Sequence, residues 1–189
     1  MGKYLKKPTE AEVSEKKNRK NQVLRHLWKW ITVAVLLAVL LLNVFTHIFQ
    51  IVHYNGTGME PGLKGGQTLV IQKTQTVSQG DVIAFYYNNQ ILVRRVICTG
   101  GSQIEISEQG VVQVDSQTLD EPYLSHITLG QCNITFPYQV RTGTVFVMGD
   151  HRSISVDSRN TALGCVAEEQ IVGKLIFRVW PLDGFGKID

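Results

Sequence analysis

Cysteine is scarce in this chain of 189 residues, which limits the kinds of site that it can form. Its three cysteines, Cys98, Cys132 and Cys165, form no CxxC pair of the kind that binds zinc, and an odd number cannot all pair in disulfides. Cys98 and Cys165 occupy apolar positions, so we expect buried thiols there rather than reactive ones. Charged residues make up only 19% of the chain and hydrophobic residues 43%, which excludes a disordered protein. We predict neither a metal nor another cofactor.

Positive charge is concentrated at the N-terminal end. Residues 1–29 contain nine Lys and Arg against three Glu, a net charge of +6, whereas residues 52–189 contain ten against thirteen acidic residues, a net charge of −3. Because the basic character belongs to a tail and the remainder is mildly acidic, we do not expect nucleic acid as a partner.

No Asp, Glu, Lys or Arg occurs in the twenty residues 30–49, WITVAVLLAVLLLNVFTHIF. A helix of this length crosses a bilayer core of about 30 Å, so residues 30–51 are predicted to be a transmembrane signal-anchor. The basic side of such an anchor stays inside, which places the tail 1–29 in the cytoplasm and residues 52–189 outside the cell membrane. A cleaved signal peptide is disfavoured because the segment FQIVHYNG, residues 49–56, offers no small-x-small cleavage site.

Short apolar runs rich in Val, Ile, Phe and Tyr follow residue 52, and turn residues flank most of them. Such runs are typical of antiparallel strands, so an all-β domain is predicted over residues 52–189. No helix-length pattern occurs there, although residues 167–171 could form one turn. The predicted strands are residues 67–72, 81–87, 90–98, 110–115, 144–149 and 173–180.

The densest polar cluster is GDHRSISVDSR, residues 149–159. By itself it is either a loop whose Asp and Arg pair with each other, or a loop that positions catalytic groups at a strand end. With four other segments it resembles the successive motifs of type I signal peptidases of the Gram-positive branch. These segments are GTGMEPGLKGG (56–66), SQGDVIAF (78–85), VRRVICTGG (93–101) and IVGKLIFRVWP (171–181).

The resemblance implies an all-β peptidase domain with a Ser/Lys dyad behind a single membrane anchor. In this family the serine of a G-x-S-M-x-P motif attacks the scissile carbonyl, and the neutral lysine of a K-R-V-I motif takes its proton. Here Gly58 stands where the serine belongs, and Arg94 where the lysine belongs. Glycine has no side chain to attack with, and arginine stays protonated and cannot act as a base. We therefore predict that these dyad positions are non-functional.

The resemblance also assigns supporting and peptide-binding positions. Ser155 matches the residue that hydrogen-bonds the lysine, and Asp157 and Arg159 match a structural ion pair beneath the active site. The predicted peptide groove comprises Tyr54, Gly56, Met59, Leu92 and Val93.

Arg94 is longer than the lysine that it replaces, and Gly58 leaves the space of a serine side chain empty. We expect Arg94 to extend into this space, to use Ser155 and backbone carbonyls as acceptors, and to hold an acceptor of a bound peptide. The alternative is an Arg94 side chain that points to solvent.

Three functions are compatible with the motifs. The first is an inactive homologue that binds an extended peptide or a protein client by strand addition, as do dyad-lacking relatives in pilus gene clusters whose clients are pilins or sortases. The second is an active signal peptidase that cleaves preproteins with another nucleophile, such as Thr57 or a serine activated by His151. A LexA-like regulator is the third, but an apolar segment occupies the place of its DNA-binding domain. The oligomeric state stays open.

The predicted topology can be tested with protease on intact protoplasts. Because residues 53–189 are expected outside and the anchor uncleaved, added protease should remove the β domain and leave a membrane-bound N-terminal fragment. Lysed protoplasts are the control, in which residues 1–29 should also be digested. A β domain that is fully protected in intact protoplasts would contradict the topology.

Overall fold

The computed structural model describes residues 10–188, so the first nine residues of the predicted basic tail lie outside the described residues. Helix α1 spans Glu10–Ile48. Its stretch Leu24–Ile48 is 25 residues long with a mean hydropathy of 2.4, which is long and apolar enough to cross a membrane. The helix ends at Ile48, and residues 49–51 of the predicted anchor lie instead in the first strand.

Twelve strands follow among the described residues, and the prediction of an all-β domain is confirmed. The predicted strand 67–72 has the observed bounds, four others agree within two residues at each end, and 110–115 shortens to three residues. The one turn expected near 167–171 is a short 3₁₀ helix, Glu168–Gln170, and a second one spans Leu182–Gly184. The strands are β1 Phe49–Tyr54, β2 Gln67–Gln72, β3 Val82–Tyr87, β4 Gln90–Thr99, β5 Gln103–Ile106, β6 Val112–Val114, β7 Gln117–Thr118, β8 Tyr138–Gln139, β9 Thr144–Met148, β10 Val166–Ala167, β11 Ile171–Trp180 and β12 Gly186–Lys187.

Two antiparallel sheets share a hydrophobic core. The larger has the order β1-β2-β11-β3-β4-β9-β10 with β12 added on β11, and the smaller has the order β7-β6-β5-β8. Side chains of β5 and β6 pack against those of β4 and β9, with Ile104, Val112, Ile97 and Phe146 fully buried between the sheets. Cys98 belongs to this cluster, and burial raises the pKa of its thiol to about 12, as expected for a packing residue.

Strands β1 and β4 run in the same direction, and each presents an open edge. Four successive antiparallel pairings lead from β1 through β2, β11 and β3 to β4, so the two strands are parallel in sense. Strand β1 pairs only with β2 among the described strands. The first half of β4 pairs only with β3, because β9 begins to pair at Arg95, which lies opposite Met148. On the side away from β3, residues 90–94 therefore pair with no other strand among the described residues.

The loop after β9 folds back onto that strand. Ser158 and Val147 exchange two hydrogen bonds, from the Ser158 amide to the Val147 carbonyl (3.0 Å) and from the Val147 amide to Ser158 Oγ (2.9 Å). Asp157 Oδ2 accepts from the Gly149 amide at 2.9 Å. These bonds fix the loop 149–159 beside the open edge of β4.

Three buried arginines tie this region together, each through two hydrogen bonds to a carboxylate. Arg95 donates to Asp150 at 3.0 and 2.8 Å, and Arg159 donates to Asp157 at 2.8 and 2.7 Å. Arg152 donates to both carboxylate oxygens of Glu121. Bidentate pairing of this kind satisfies charges that would otherwise be costly to bury.

Removing one carboxylate of these pairs should destabilise the fold. Asp157→Ala leaves the fully buried Arg159 without its counter-ion and the Gly149 amide without its acceptor, so we expect the free energy of unfolding to fall by about 3–5 kcal/mol. Asp183→Ala, at an exposed position, is the matched control and should change it by less than about 0.5 kcal/mol. Equal melting temperatures of the two variants in detergent would contradict a structural role for the pair.

Candidate functional site: a cleft at the two open strand edges

A cleft of about 430 Å³ lies at the open edges of β1 and β4. The C-terminal half of β1 and the turn after it form one wall, and the first five residues of β4 form another. Ile154 and Val156 contribute from the loop 149–159. The lining contains no Asp or Glu and is made of Val52, His53, Tyr54, Asn55, Gly56, Thr57, Gly58, Gln90, Ile91, Leu92, Val93, Arg94, Ile154 and Val156.

Both predicted dyad positions, Gly58 and Arg94, line this cleft and lie next to each other. A Cβ atom on Gly58 would be 3.0 Å from Arg94 Nη1 and 2.9 Å from Ser155 Oγ. Both distances are shorter than ordinary van der Waals contacts, so the guanidinium of Arg94 occupies space that a side chain at position 58 would need. Gly58 and Arg94 are therefore sterically coupled, although 36 residues separate them in the chain.

The Arg94 side chain is buried rather than solvated, with only 7% of the residue exposed. Nε donates to the Val156 carbonyl at 3.0 Å, and Nη1 donates to the Val93 carbonyl at 2.6 Å. Burial lowers the pKa of this guanidinium, and the nearby Asp157 acts in the opposite direction. The expectation that Arg94 extends into the vacated space agrees with this geometry.

The expected hydrogen bond from Arg94 to Ser155 is absent from the described contacts, and that prediction is wrong. Ser155 Oγ instead donates to the Gly58 carbonyl at 2.8 Å, which also accepts from the His151 amide at 3.0 Å. The guanidinium is turned toward the carbonyls of Val93 and Val156, since these oxygens lie at hydrogen-bonding distance from Nη1 and Nε. Ser155 thus holds the loop against the turn after β1.

Tyr54 is another polar residue of the cleft lining. The residue is 5% exposed, and its hydroxyl is buried without a hydrogen-bond partner among residues 10–188. Burial raises the pKa of this hydroxyl, and the positive charge of Arg94 partly counteracts this rise. The backbone amide of Met59 also lowers the pKa, although it does not reach hydrogen-bond geometry. A Cβ atom on Gly56 would lie 2.7 Å from the Tyr54 ring and hydroxyl, so glycine at position 56 makes room for tyrosine.

Four of the five predicted groove residues line the cleft, namely Tyr54, Gly56, Leu92 and Val93. Met59 does not, and this assignment is wrong: its side chain is fully buried in the core with Leu63, Leu69 and Ile71. Its neighbour Gly58 still faces the cleft because the chain turns at residues 57–61.

Several residues that line the cleft were not identified from the sequence. Val52 and Ile91 form apolar walls, and Ile154 and Val156 close the cleft from a segment about 60 residues away from β4 in the chain. Alternation of apolar residues in β1 could have indicated Val52, but no local pattern indicates the contacts of the loop.

The two residues considered as substitute catalytic groups, Thr57 and His151, are not arranged as a nucleophile or as a base that activates a serine. Thr57 is exposed at the rim of the cleft, and its carbonyl accepts from the Glu60 amide at 3.2 Å. His151 Nδ1 is 3.9 Å from Glu60 Oε2 and forms no hydrogen bond. Within residues 10–188 no group of three or more His, Cys, Asp or Glu is placed to hold a metal ion.

Comparison with known proteins agrees with the signal peptidase motifs recognised in the sequence. Residues 27–180 match the model of the family "Signal peptidase, peptidase S26". Signal peptidase IB of Staphylococcus aureus is 32% identical over 181 residues, which cover 85% of this chain and 93% of the relative. Signal peptidase I of Bacillus caldolyticus is 32% identical over 176 residues, covering 84% and 92%.

Among solved structures, a signal peptidase I from Enterococcus faecalis is 27% identical with a TM-score of 0.46, and the match covers 53% of this chain and 97% of that one. The apolar N-terminal helix and the family match together point to a membrane-anchored protein. The family match extends over most of the chain, and the protein belongs to the type I signal peptidase family.

Proposed function

We propose that this protein is a catalytically inactive member of the family that binds an extended peptide while anchored in the cell membrane. The observation that carries the proposal is the replacement of nucleophile and base by Gly58 and Arg94, with the guanidinium in the space of the missing side chain. Residues 1–29 are proposed to lie in the cytoplasm and the β domain outside.

Chemistry argues against hydrolysis at this site. Peptide cleavage by this family needs a hydroxyl whose proton a neutral amine removes, and a guanidinium holds its proton at any working pH. Ser155, whose hydroxyl lies 2.9 Å from where a Cβ on Gly58 would be, already donates its proton to the Gly58 carbonyl at 2.8 Å. The former catalytic machinery therefore lacks both an attacking atom and a proton acceptor.

The cleft favours peptide binding by strand addition. The open edges of β1 and β4 run in the same direction, so one extended segment can hydrogen-bond to either or both in a single orientation. Ile91, Leu92 and Val156 offer apolar contacts for alternate side chains of such a segment. Main-chain hydrogen bonds would supply the affinity for the peptide, and the apolar contacts would supply the selectivity for its side chains.

The proposed clients are proteins of pilus assembly, either a pilin or a sortase. This identification follows from the resemblance to dyad-lacking signal peptidase-like proteins, which lost the same two catalytic groups. An intact preprotein is the alternative client. In that case the protein would be an active type I signal peptidase with an unrecognised nucleophile.

The first test is cleavage of a secretory preprotein by the purified full-length protein in detergent. The unaltered protein and Gly58→Ser should both be inactive, since Arg94 cannot accept a proton and crowds a new side chain. Gly58→Ser combined with Arg94→Lys should give trace cleavage, because Ser155, Asp157 and Arg159 remain in place. Gly58→Ala with Arg94→Lys is the control without a nucleophile. Cleavage by the unaltered protein would overturn the proposal.

The second test concerns the client. A photo-crosslinking residue in place of Ile154, which is exposed and lines the cleft, should form adducts with a pilin or a sortase in intact cells. The same residue in place of Ile127, exposed outside the cleft, should not. Adducts that are identical at both positions would contradict client binding in the cleft.

A further inference from the structure

Arg94 is a buried cation without an anionic partner. The three other buried arginines each hold a carboxylate, but no carboxylate lies within ion-pair distance of Arg94 among residues 10–188. Two of its nitrogens donate to backbone carbonyls, while Nη2 donates no hydrogen bond in the same part of the chain. Because a buried charge without a direct ion pair is costly, this guanidinium is suited to an anion that enters the cleft.

The Tyr54 hydroxyl is an independent observation at the same cleft. It is buried and unpartnered, and a phenol that faces an anion acts as a hydrogen-bond donor. Gly56 makes room for Tyr54, and Gly58, two residues later, makes room for Arg94. The cleft lining adds no acidic side chain that could compete for these donors.

The sheet determines what part of a peptide reaches Arg94. A peptide that pairs with the open edge of β4 can follow residues 90–94 but must leave the sheet there, because β9 takes over the edge from Arg95 onward. Arg94 therefore lies where the hydrogen bonds between β4 and a bound peptide must end. A guanidinium there repels a terminal ammonium and attracts a terminal carboxylate, which a peptide parallel to β4 would place at this point.

We infer that the cleft selects peptides that end in a free α-carboxylate, with Arg94 and Tyr54 as the groups that bind it. This inference rests on the proposed peptide-binding function and specifies its ligand. Such a carboxylate is produced when a peptide bond is hydrolysed, so the preferred ligand is the N-terminal product of a cleavage made by another enzyme.

The test is a binding titration with the full-length protein in detergent, monitored by fluorescence anisotropy. The probe is an octapeptide of alternating Ala and Val with fluorescein at its N-terminus, made as the free acid and as the C-terminal amide. We expect the acid to bind about tenfold more tightly, as is typical of a charge-assisted hydrogen bond. A third probe, an amide with glutamate at the last position, distinguishes a side-chain carboxylate from the terminal one and should bind less tightly than the acid.

Variants assign the preference to the two residues. Arg94→Gln should bring the ratio of the affinities for the acid and the amide close to one. Tyr54→Phe should lower this ratio severalfold. Arg141→Gln, the same substitution at an exposed arginine outside the cleft lining, should leave the ratio unchanged.

The outcomes separate this inference from the function on which it rests. If acid and amide bind the unaltered protein equally, peptide binding stands and carboxylate selection is overturned. If the glutamate amide matches the acid, selection for a chain terminus is overturned. If no probe binds, both the inference and the peptide-binding function fail.

Discussion

The bidentate pair of Arg159 with Asp157 is the interaction on which the site depends most. Both side chains are inaccessible to solvent, and Asp157 also accepts the Gly149 amide, so the pair closes the loop 149–159 onto the end of β9. If a pair this deeply buried loses one member, the other remains as a buried charge without its counter-ion, which is strongly destabilising. The loop is therefore held in one conformation, which brings Ser155 to the Gly58 carbonyl and the Val156 carbonyl to Arg94.

A scaffold held in this way does not depend on a side chain at position 58. The hydrogen bond of Ser155 to the backbone of residue 58 does not need a side chain at that position. Arg94 keeps two carbonyl acceptors whether or not a ligand is present. The two replacements are also compatible with each other, because the absence of a Cβ on Gly58 is what leaves room for the guanidinium.

Local patterns were sufficient for much of the fold. β-branched and aromatic runs bounded by turn residues indicated β2, β3, β4, β9 and β11 within two residues, since each is long enough to show its pattern. Strand β1 was hidden because its apolar residues continue directly from the apolar helix. The two-residue strands are too short to show an alternating pattern, and two of them, β8 and β10, exist only through pairing with segments distant in the chain.

Amino-acid identity alone determined that the two positions predicted for the dyad carry neither a nucleophile nor a base, since no fold can supply atoms that Gly58 lacks or neutralise an arginine at working pH. It did not determine where Met59 or Arg94 would point. Met59 lies in the core because the chain turns beside it, and Arg94 has no carboxylate partner because Asp157, whose charge acts on it most, is already bound to Arg159. These facts depend on strand register and on a loop about 60 residues away in the chain. Only tertiary packing therefore decided that the predicted dyad positions lie in a cleft that holds a buried cation without an ion-pair partner among the described residues.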